Sequence, residues 1–450
     1  MSLQAPSLQD LQTIKIYGKV TRIIGLVIEG HCPNASIGSL CHVTALDEKS
    51  KIHAEVVGFK DSQALLMPLG EIRGLGPGSR IRVVKDSAAI KVGDNLLGRV
   101  IDAMETPHDG LPLPLLTEEM SLYANPPGPM QRKNIAEPLD LGIRAINGLL
   151  TCGMGQRMGI MAGSGIGKSV LLGMMAKYAR ADVNVIALIG ERGREVREFI
   201  ERDLGKEGLA RSVIVVVTSD QSPLLRMRGA FVATTIAEYF CRQGKNVLLM
   251  MDSVTRFAMA MREIGLAVGE PPTTKGYTPS VFATLPRLLE RAGRFQDQGS
   301  ITGLYTVLVD GDDMTEPVAD SVRSILDGHI VLSREIAAKN HYPAIDILNS
   351  ASRVMRDIVT PRHLELAGKT RTVLSAYSDA EDLINIGAYA HGSNPQIDFA
   401  ISKIDDINTF LQQRFDESTS LKQTKEDLGQ LLSERKEEPA SPPKRRKNDR

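Results

Sequence analysis

The chain has 450 residues, of which 42% are hydrophobic and 24% are charged, a composition typical of globular proteins with two or three domains. Lysine and arginine total 54, the same number as aspartate and glutamate, so no overall charge favours nucleic acid or a membrane surface. The sequence shows no apolar run of about 18 residues and no signal peptide, and we expect neither a membrane-spanning nor a secreted protein. Four cysteines are too few for a disulfide framework, which favours a reducing cytoplasm.

The first hundred residues predict a small β-rich domain. From about residue 14 to residue 92, short runs of alternating apolar residues lie between turn signals, as in KIYGKVTRIIGLVIEG and IHAEVVGFKDSQALLMPL. Short strands at such close spacing are typical of small barrels and sandwiches. We therefore expect residues 1–92 to form an N-terminal β-barrel domain with a short leader.

Two cysteines and two histidines lie close together within this first domain. His31, Cys32, Cys41 and His42 all carry side chains that bind zinc, so a metal site is one interpretation. Their spacing matches no common zinc module, however. We expect reduced cysteines in a β-rich domain, and no metal.

After the proline-rich segment ANPPGPMQRK (124–133), strongly apolar runs alternate with amphipathic stretches such as REVREFIERDLG. Apolar strands that alternate with helices indicate a parallel sheet covered on both faces. The runs are VNVIALIG (183–190), SVIVVVTS (212–219), NVLLMMD (246–252), ITGLYTVLVD (301–310) and HIVLS (329–333).

Strand signals fade after about residue 355, and residues 355–432 predict a helical C-terminal domain. The last residues, 433–450, form a charged, proline-containing tail that we expect to be disordered. Its KRRK cluster could bind an acidic partner or nucleic acid, but a solvated tail is the simpler interpretation.

The stretch AGSGIGKSV (162–170) has the form of a phosphate-binding loop, with Ala162 in the position that usually holds glycine. QRMGIM before it predicts a buried strand and KSVLLGMMAKYA after it a helix, which is the context this loop requires. In such a loop Lys168 contacts the β- and γ-phosphates and the Ser169 hydroxyl binds Mg²⁺. The expected nucleotide-binding residues are Gly163, Ser164, Gly165, Ile166, Gly167, Lys168, Ser169 and Val170.

Two carboxylates complete this predicted site. Asp252 ends the apolar run VLLMMD, as does the aspartate that holds the Mg²⁺ shell in such proteins, so Ser169 and Asp252 are the expected metal ligands. Glu191 follows a buried strand, where α/β sheets place their ligand sites, and could polarise the attacking water with help from Glu195. The alternative for Glu191 is an acid that stabilises a helix N-terminus.

The longest motifs resemble the FliI family of flagellar type III export ATPases. They are GQRMGIMAGSGIGKSVLLGMMAKYARADVNVIALIGERGREVREFIE, MDSVTRFAMAMREIGLAVGEPPTTKGYTPSVFATLPRLLERAG, GDDMTEPVADSVRSILDGHIVLSREIA and HYPAIDILNSASRV. The similarity runs from about residue 17 to about residue 412. The family is similar to the catalytic subunits of rotary ATP synthases and to virulence injectisome ATPases.

The resemblance implies an α/β fold. A RecA-like P-loop domain (93–354) with a predominantly parallel sheet would follow the barrel and precede the helical domain. ATP and Mg²⁺ are the implied cofactors, and Glu191 is the implied activator of water. The resemblance further makes Arg192 a site residue, Arg256 a phosphate-facing residue and Tyr342 the residue that stacks on adenine. Arg353 resembles the arginine finger given to the neighbouring subunit's site in a homohexameric ring.

The same resemblance implies a motor for protein export in the cytoplasm, peripherally associated with an export gate at the inner membrane. The implied partners are a FliH-like regulator, a FliJ-like stalk protein, the gate, and export substrates with their chaperones; nucleic acid is not expected. The leader SLQDLQTI is short for docking the regulator. The loop EPPTTKGYTPS (270–280) is expected to face the ring's centre, where Lys275 and Tyr277 would contact the stalk or a passing substrate.

Other ring ATPases are the alternatives to a flagellar motor. An injectisome ATPase is close to it in sequence. A Rho-like nucleic-acid translocase is disfavoured because the first hundred residues contain only Tyr17 and Phe59 as aromatics and no dense basic cluster. A rotary synthase subunit would carry an acidic lever motif, which residues 355–432 lack, and Glu191 argues against a ring subunit without hydrolytic activity.

Overall fold

The computed structural model of the chain describes residues 16–48, 50–163, 165–309, 311 and 313–432. Three sequence predictions therefore lie outside the described residues: the short leader, the role of Ser164 in the phosphate-binding loop, and the charged tail with its KRRK cluster.

Six antiparallel strands close into the predicted N-terminal barrel, in the order β1-β2-β5-β4-β3-β6. Alternation along each strand sends small and branched side chains such as Val43, Val56 and Ile81 into the barrel interior, where they are buried. The strands are β1 (Gly18–Ile24), β2 (Val27–His31), β3 (Leu40–Thr44), β4 (Lys51–Lys60), β5 (Gln63–Pro68) and β6 (Arg80–Lys85).

The cysteine and histidine side chains near the barrel's end do not converge on one point. The sulfur atoms of Cys32 and Cys41 lie 4.0 Å apart, and Cys41 is fully buried in the barrel core. His42, the next residue along β3, pairs instead with His53 of β4, with 2.9 Å between their Nε2 atoms. Neighbouring residues of a strand point to opposite faces, which explains the separation.

Short strands join the barrel to the central domain. They are β7 (Ala89–Val92), which pairs with β9 (Glu118–Ser121), then β8 (Val100–Ile101), and the pair β10 (Pro138–Leu139) and β11 (Cys152–Gly153). A buried ion pair also links the two domains: Arg228 Nη1 donates to Glu55 Oε2 at 3.3 Å, and Tyr123 Oη donates to Glu55 Oε1 at 2.8 Å.

The central domain contains a nine-stranded sheet in the order β19-β18-β12-β17-β15-β13-β14-β8, with the short β16 beside β17. All neighbouring pairs from β18 to β8 are parallel, which confirms the predicted α/β architecture, while β19 and β16 run antiparallel to their neighbours. The remaining strands are β12 (Arg157–Ala162), β13 (Val183–Glu191), β14 (Ser212–Thr218), β15 (Asn246–Asp252), β16 (Gly293–Arg294), β17 (Ser300–Leu308), β18 (Gly328–Leu332) and β19 (Ile345–Ser352).

Helices cover both faces of this sheet, so its central strands are apolar along almost their whole length. In β13, Val185 and Ala187 face one core, whereas Ile186 and Leu188 face the other. The helices are α1 (Arg144–Leu149), α2 (Lys168–Tyr178), α3 (Gly193–Glu198), α4 (Gly205–Ala210), α5 (Pro223–Arg242), α6 (Val254–Ala267), α7 (Pro279–Leu289), α8 (Pro317–Ile325) and α9 (Arg334–Ala338). A π-helical turn, Phe199–Leu204, joins α3 to α4, and 3₁₀ turns form at Asp94–Leu96, Pro129–Gln131 and Thr274–Gly276.

The C-terminal domain is helical, as predicted. It consists of α10 (Met355–Ile358), α11 (Pro361–Asn385), α12 (Pro395–Leu411) and α13 (Leu421–Leu431). The buried residues Ile407, Phe410 and Leu428 join the same core as α1 and α2, so this domain packs directly on the face of the sheet that carries α2. None of the described helices is long and apolar enough to cross a membrane.

Candidate functional site

The predicted site residues lie where parallel strands end. The strands β12, β13 and β15 are joined in one sheet through β17, and their carboxyl ends lead into the phosphate-binding loop, Glu191 and Asp252. Loops at this edge of a parallel sheet form the crevice in which α/β proteins bind ligands. The fold therefore brings together side chains that are up to 84 residues apart in the sequence.

Glycine is required at two positions of the phosphate-binding loop. Gly165 has a φ of 80° and Gly167 a φ of 86°, a left-handed conformation that side chains disfavour. Gly167 is the N-cap of α2, so the loop delivers its backbone N–H groups and Lys168 to a helix N-terminus, where anions bind. Arg334 approaches this loop from α9: a Cβ at Gly163 would lie 2.9 Å from its Nε atom.

Lys168 lies between the two predicted carboxylates. Its Nζ atom donates to Asp252 Oδ1 in a short hydrogen bond and lies 3.7 Å from Glu191 Oε1. Thr306 of β17 donates to the same Asp252 oxygen at 2.7 Å, which fixes the aspartate from the neighbouring strand. The three charged side chains are mostly buried, so their mutual interactions are weakly screened by solvent.

A bulge in β13 aims Glu191 at this cluster. The register between β13 and β14 shifts between Ile189 and Glu191, and Gly190 has a φ of 72°. Burial raises the pKa of Glu191 to about 7, helped by the Asp252 carboxylate and opposed by Lys168. Such a carboxyl group can accept or release a proton near neutral pH, as a group that polarises water must.

The two arginines predicted for the site, Arg256 facing the phosphates and Arg192 beside Glu191, occupy different surroundings. The side chain of Arg256, in the first turn of α6, passes close to Gly190, and its buried Nε atom has no hydrogen-bond acceptor among the described residues. An unsatisfied guanidinium N–H beside Glu191 fits a residue that faces an anion. Arg192, in contrast, points into solvent with 81% of its side chain exposed, 3.7 Å from Glu195. The structure does not bring its guanidinium to Lys168.

An apolar cavity of about 500 Å³ lies beside the phosphate-binding loop. Ile166, Gly167 and Val170 line it on one side, and the ring of Tyr342 lies over Gly167, 3.5 Å from where a Cβ would be. Phe415 lines the same cavity and was missed by the sequence analysis. No signal in the sequence singles it out, because it lies inside the stretch predicted only as a helical domain. Two aromatic rings beside a phosphate loop suit a flat nucleobase.

Arg353 lies at the opposite end of the sheet. Its backbone N–H donates to the carbonyl of Asp327 at 2.9 Å, and Asp327 pairs with Arg157, the first residue of β12. The phosphate-binding loop follows the last residue of that six-residue strand, roughly 20 Å away at about 3.3 Å per residue. Arg353 therefore cannot reach its own subunit's phosphates. Its guanidinium donates to the carbonyl of Arg323 at 3.4 Å and pairs with no carboxylate of the described residues.

The oxygen donors near the phosphate loop fit a magnesium ion. Lys168 and Thr306 both use Oδ1 of Asp252, which leaves Oδ2 without a hydrogen bond from the described residues. The Ser169 hydroxyl, in the first turn of α2, likewise makes no hydrogen bond within the described part of the chain. No cluster of three or more His, Cys, Asp or Glu that could hold a metal occurs among those residues. One hydroxyl and one carboxylate are the sparse set that Mg²⁺ takes when phosphate and water supply its other ligands.

The predicted pore loop is only partly accessible. The expectation that Tyr277 contacts a partner directly is wrong, because Tyr277 is 2% exposed and packs beneath Arg262. Its hydroxyl donates to Glu316 at 3.2 Å. Lys275 is exposed, and its ammonium group lies 3.3 Å from Asp313. Tyr277 therefore anchors the loop, whereas Lys275 can reach a partner.

Comparisons with known proteins agree with this architecture domain by domain. Residues 20–84 match the β-barrel domain of the ATP synthase alpha/beta family, and residues 142–352 match its nucleotide-binding domain. Residues 359–430 match the C-terminal domain of the type III secretion ATPase EscN.

The chain resembles proteins of flagella and of secretion systems over most of its length. It is 57% identical to the flagellum-specific ATP synthase of Bacillus subtilis (strain 168) over 411 residues, covering 91% of this chain and 94% of that protein. It is 50% identical to a type 3 secretion system ATPase of Xanthomonas euvesicatoria over 423 residues, 93% and 96% of the two chains.

Solved structures give the same result. The assembled ATPase EscN from the enteropathogenic E. coli type III secretion system superimposes with a TM-score of 0.88 at 49% identity, covering 92% of this chain and all of that one. EscN in complex with its central stalk EscO gives a TM-score of 0.86 with the same identity and coverage. The chain is therefore an ATPase and belongs to the family of flagellum-specific and type III secretion ATPases.

Proposed function

We propose that this ATPase is the motor of a flagellar type III export apparatus, in which Mg²⁺-dependent ATP hydrolysis energises or primes the export of flagellar proteins. The placement of Lys168 between Glu191 and Asp252, at the end of a loop built for phosphate, is the observation that carries the hydrolytic function. The flagellar assignment is supported by 57% identity to a flagellum-specific ATP synthase, against 50% for the secretion ATPase compared above. An injectisome ATPase is the second candidate.

In this proposal each side chain has one task. Lys168 leaves Asp252 to neutralise charge on the β- and γ-phosphates, and the loop N–H groups hold the same oxygens. Glu191 polarises the attacking water and accepts its proton, for which a pKa of about 7 is suitable. Ser169 and Asp252 hold the metal, which when bound offsets the negative charge on the transferring phosphoryl group. Arg256 faces the phosphates, and Tyr342 stacks on adenine.

We further propose that the active unit is a homohexameric ring in which Arg353 of a neighbouring subunit completes each site. The supporting observation is that Arg353 lies too far from its own Lys168 to act within one chain. A closed ring of identical subunits gives every interface the same pair of half-sites. The EscN structures are those of an assembled ATPase and of its complex with a central stalk, which supports self-assembly and a stalk partner here.

The partners in this proposal are a FliJ-like stalk protein in the pore, a FliH-like regulator, and export substrates with their chaperones. The motor would work in the cytoplasm, peripherally associated with the export gate at the inner membrane. We retain the division into residues 1–92, 93–354, 355–432 and 433–450 as a proposal, and Arg192 as a site residue of untested role.

Enzyme assay and genetic complementation test the two parts of the proposal separately. The purified protein should hydrolyse ATP with Mg²⁺, and Lys168→Ala should abolish nucleotide binding or turnover. Expressed in a Bacillus subtilis strain that lacks its flagellum-specific ATP synthase, the protein should restore swimming, and Lys168→Ala should not. Hydrolysis without restored swimming, together with rescue of effector secretion in a strain lacking an injectisome ATPase, would favour the second candidate.

A further inference from the structure

The loop that carries Phe415 is held in place by hydrogen bonds rather than by packing of the Phe415 ring. Residues 412–417, called the 412–417 loop from here on, follow α12 and form one wall of the apolar cavity. Phe415 itself is 67% exposed, so its ring does not anchor the loop. Its position over the cavity therefore depends on what fixes the loop backbone.

Arg144, the first residue of α1, holds both ends of this segment. Its Nε atom donates to the carbonyl of Phe410 at 3.0 Å, and its Nη2 atom donates to the carbonyl of Gln412. Its Nη1 atom donates to Glu417 Oε1 at 2.8 Å. One planar guanidinium thus spans the loop from the end of α12 to its last residue, a geometry that its fixed fork of donors allows.

Gln413 connects the loop to the opposite wall of the cavity. Its buried side chain accepts from the backbone N–H of Arg144 at 2.8 Å and donates to the carbonyl of Gly142 at 2.8 Å. Its backbone N–H donates to the carbonyl of Tyr342 at 2.9 Å. The chain segments that present Phe415 and Tyr342 are therefore parts of one network centred on Arg144 and Gln413.

We propose that Arg144 is a positioning residue for the nucleobase of ATP: it fixes the 412–417 loop so that the Phe415 ring faces Tyr342 across the cavity. The inference rests on the proposed ATP site. Among the described residues, Arg144 makes no hydrogen bond to the phosphate-binding loop, so it should determine affinity for the base and not the rate of the chemical step. A ligand that carries the triphosphate without a base should not sense its removal.

Steady-state kinetics with Arg144→Ala test this inference. We expect the KM for ATP to rise on the order of 10-fold, the size of one aromatic stacking contact, while kcat changes less than about two-fold. The inhibition constant of magnesium tripolyphosphate, which has no base, should stay the same. Arg144→Lys, which keeps the charge but not the fork of donors, should give an intermediate KM.

A double-mutant cycle shows whether Arg144 acts through Phe415. If it does, Arg144→Ala combined with Phe415→Ala should raise KM no further than Phe415→Ala alone. The matched control is Arg180→Ala, because Arg180 is an exposed arginine of the same region that pairs with Asp140 and not with the loop. Its KM should equal that of the unaltered protein.

The milder variant Glu417→Gln, which removes the charge that pairs with Arg144 and also alters the long contact of Oε2 with the Arg414 N–H, applies the same test if Arg144→Ala does not fold. Full additivity in the cycle, or a parallel weakening of tripolyphosphate inhibition, would overturn the inference. A protein without ATP hydrolysis in its unaltered form would instead overturn the proposed function, so the two failures are distinguishable.

Discussion

The backbone conformation of Gly190 determines where the carboxylate of Glu191 points. The bulge that turns Glu191 toward Lys168 needs a φ of 72°, and the space where a side chain would stand is filled by Arg256. The sequence reveals Lys168, Glu191 and Asp252 because each lies at or just after the end of a recognisable strand. It does not reveal Thr306, Arg334 or Phe415, because their roles arise only when distant strands and helices meet.

Replacing Gly190 should therefore damage the site more than the fold. In Gly190→Ala the new Cβ would lie 2.9 Å from the Cβ of Arg256 at an unfavourable φ, so the bulge must shift and carry Glu191 away. We expect turnover to fall by at least ~10-fold and stability by about 1–3 kcal/mol, measured by ATPase assay and thermal unfolding. Gly193→Ala is the matched control, since Gly193 has no atom near its Cβ position, and it should change neither quantity. Normal turnover in Gly190→Ala would contradict the positioning role of the bulge.

The raised pKa of Glu191 predicts a pH-dependent stability. Its pKa of about 7 in the folded chain lies above the ordinary value of 4.5, so between these values the folded state binds more protons than the unfolded state. The free energy of unfolding therefore falls as pH rises through this window. In nucleotide- and metal-free protein, Glu191→Gln should be more stable than the unaltered chain at pH 8, by at most about 3 kcal/mol, and the difference should vanish near pH 4.5.

Thermal unfolding across this pH range measures the effect, and Glu207→Gln provides the control because Glu207 is exposed on α4 and does not contribute to the raised pKa of Glu191. A Glu191→Gln variant less stable than the unaltered chain at pH 8 would mean that the ion pair with Lys168 outweighs the cost of burying the carboxylate.

Among the secondary-structure elements, the strands that are apolar on both faces were predicted best from the sequence. The strands β12 to β15 and β17 are buried runs, and such runs are recognisable without knowledge of their neighbours. The edge strand β19 was not predicted, because it mixes buried and exposed residues and pairs antiparallel with β18. The helix expected over 194–205 is interrupted by a π-helical turn at Phe199–Leu204, which periodicity alone does not indicate.

The pore loop gives a prediction at this scale. Lys275 is an exposed cation in the 3₁₀ turn Thr274–Gly276 and pairs with the exposed Asp313, so Lys275→Ala should leave basal ATPase activity within about two-fold. If the loop contacts the stalk protein, the same variant should lose most of the stimulation that the stalk protein gives. Lys245→Ala, on the turn between α5 and β15, is the control. Undiminished stimulation and stalk binding in Lys275→Ala would count against a partner-contacting loop.

At the scale of the whole molecule, the sheet separates the two groups of residues that the proposed reaction needs. Lys168 and Glu191 lie at its carboxyl edge, and Arg353 lies at the other end of β12. The sequence identifies the residues of both groups but not the distance between them. That distance depends on the direction of β12 and on the connection from β18 to β19.

Mixing experiments test whether Arg353 acts on a neighbouring subunit. Arg353→Ala should keep nucleotide affinity and lose turnover by a factor on the order of 10³. Glu191→Gln should bind ATP and fail to hydrolyse it. Rings that contain both variants should recover activity at interfaces that combine an intact Glu191 with an intact Arg353. Mixed rings without recovery, or an Arg353→Ala variant that loses stability and keeps its rate, would contradict a role in trans.

The closed barrel and the partly covered edges of the central sheet also affect how the protein behaves when many copies are crowded together. The barrel closes on itself, so its described strands leave no open backbone for another chain to pair with. The outer side of β8 is taken up by the chain's own residues, since His108 donates to the carbonyl of Val100 and Asp102 donates to that of Thr106. On the far edge, Arg371 of α11 covers the Ser350 carbonyl of β19. At these places a crowded neighbour meets side chains and backbone groups that are already hydrogen-bonded, which disfavours the strand-to-strand pairing that leads to fibrils.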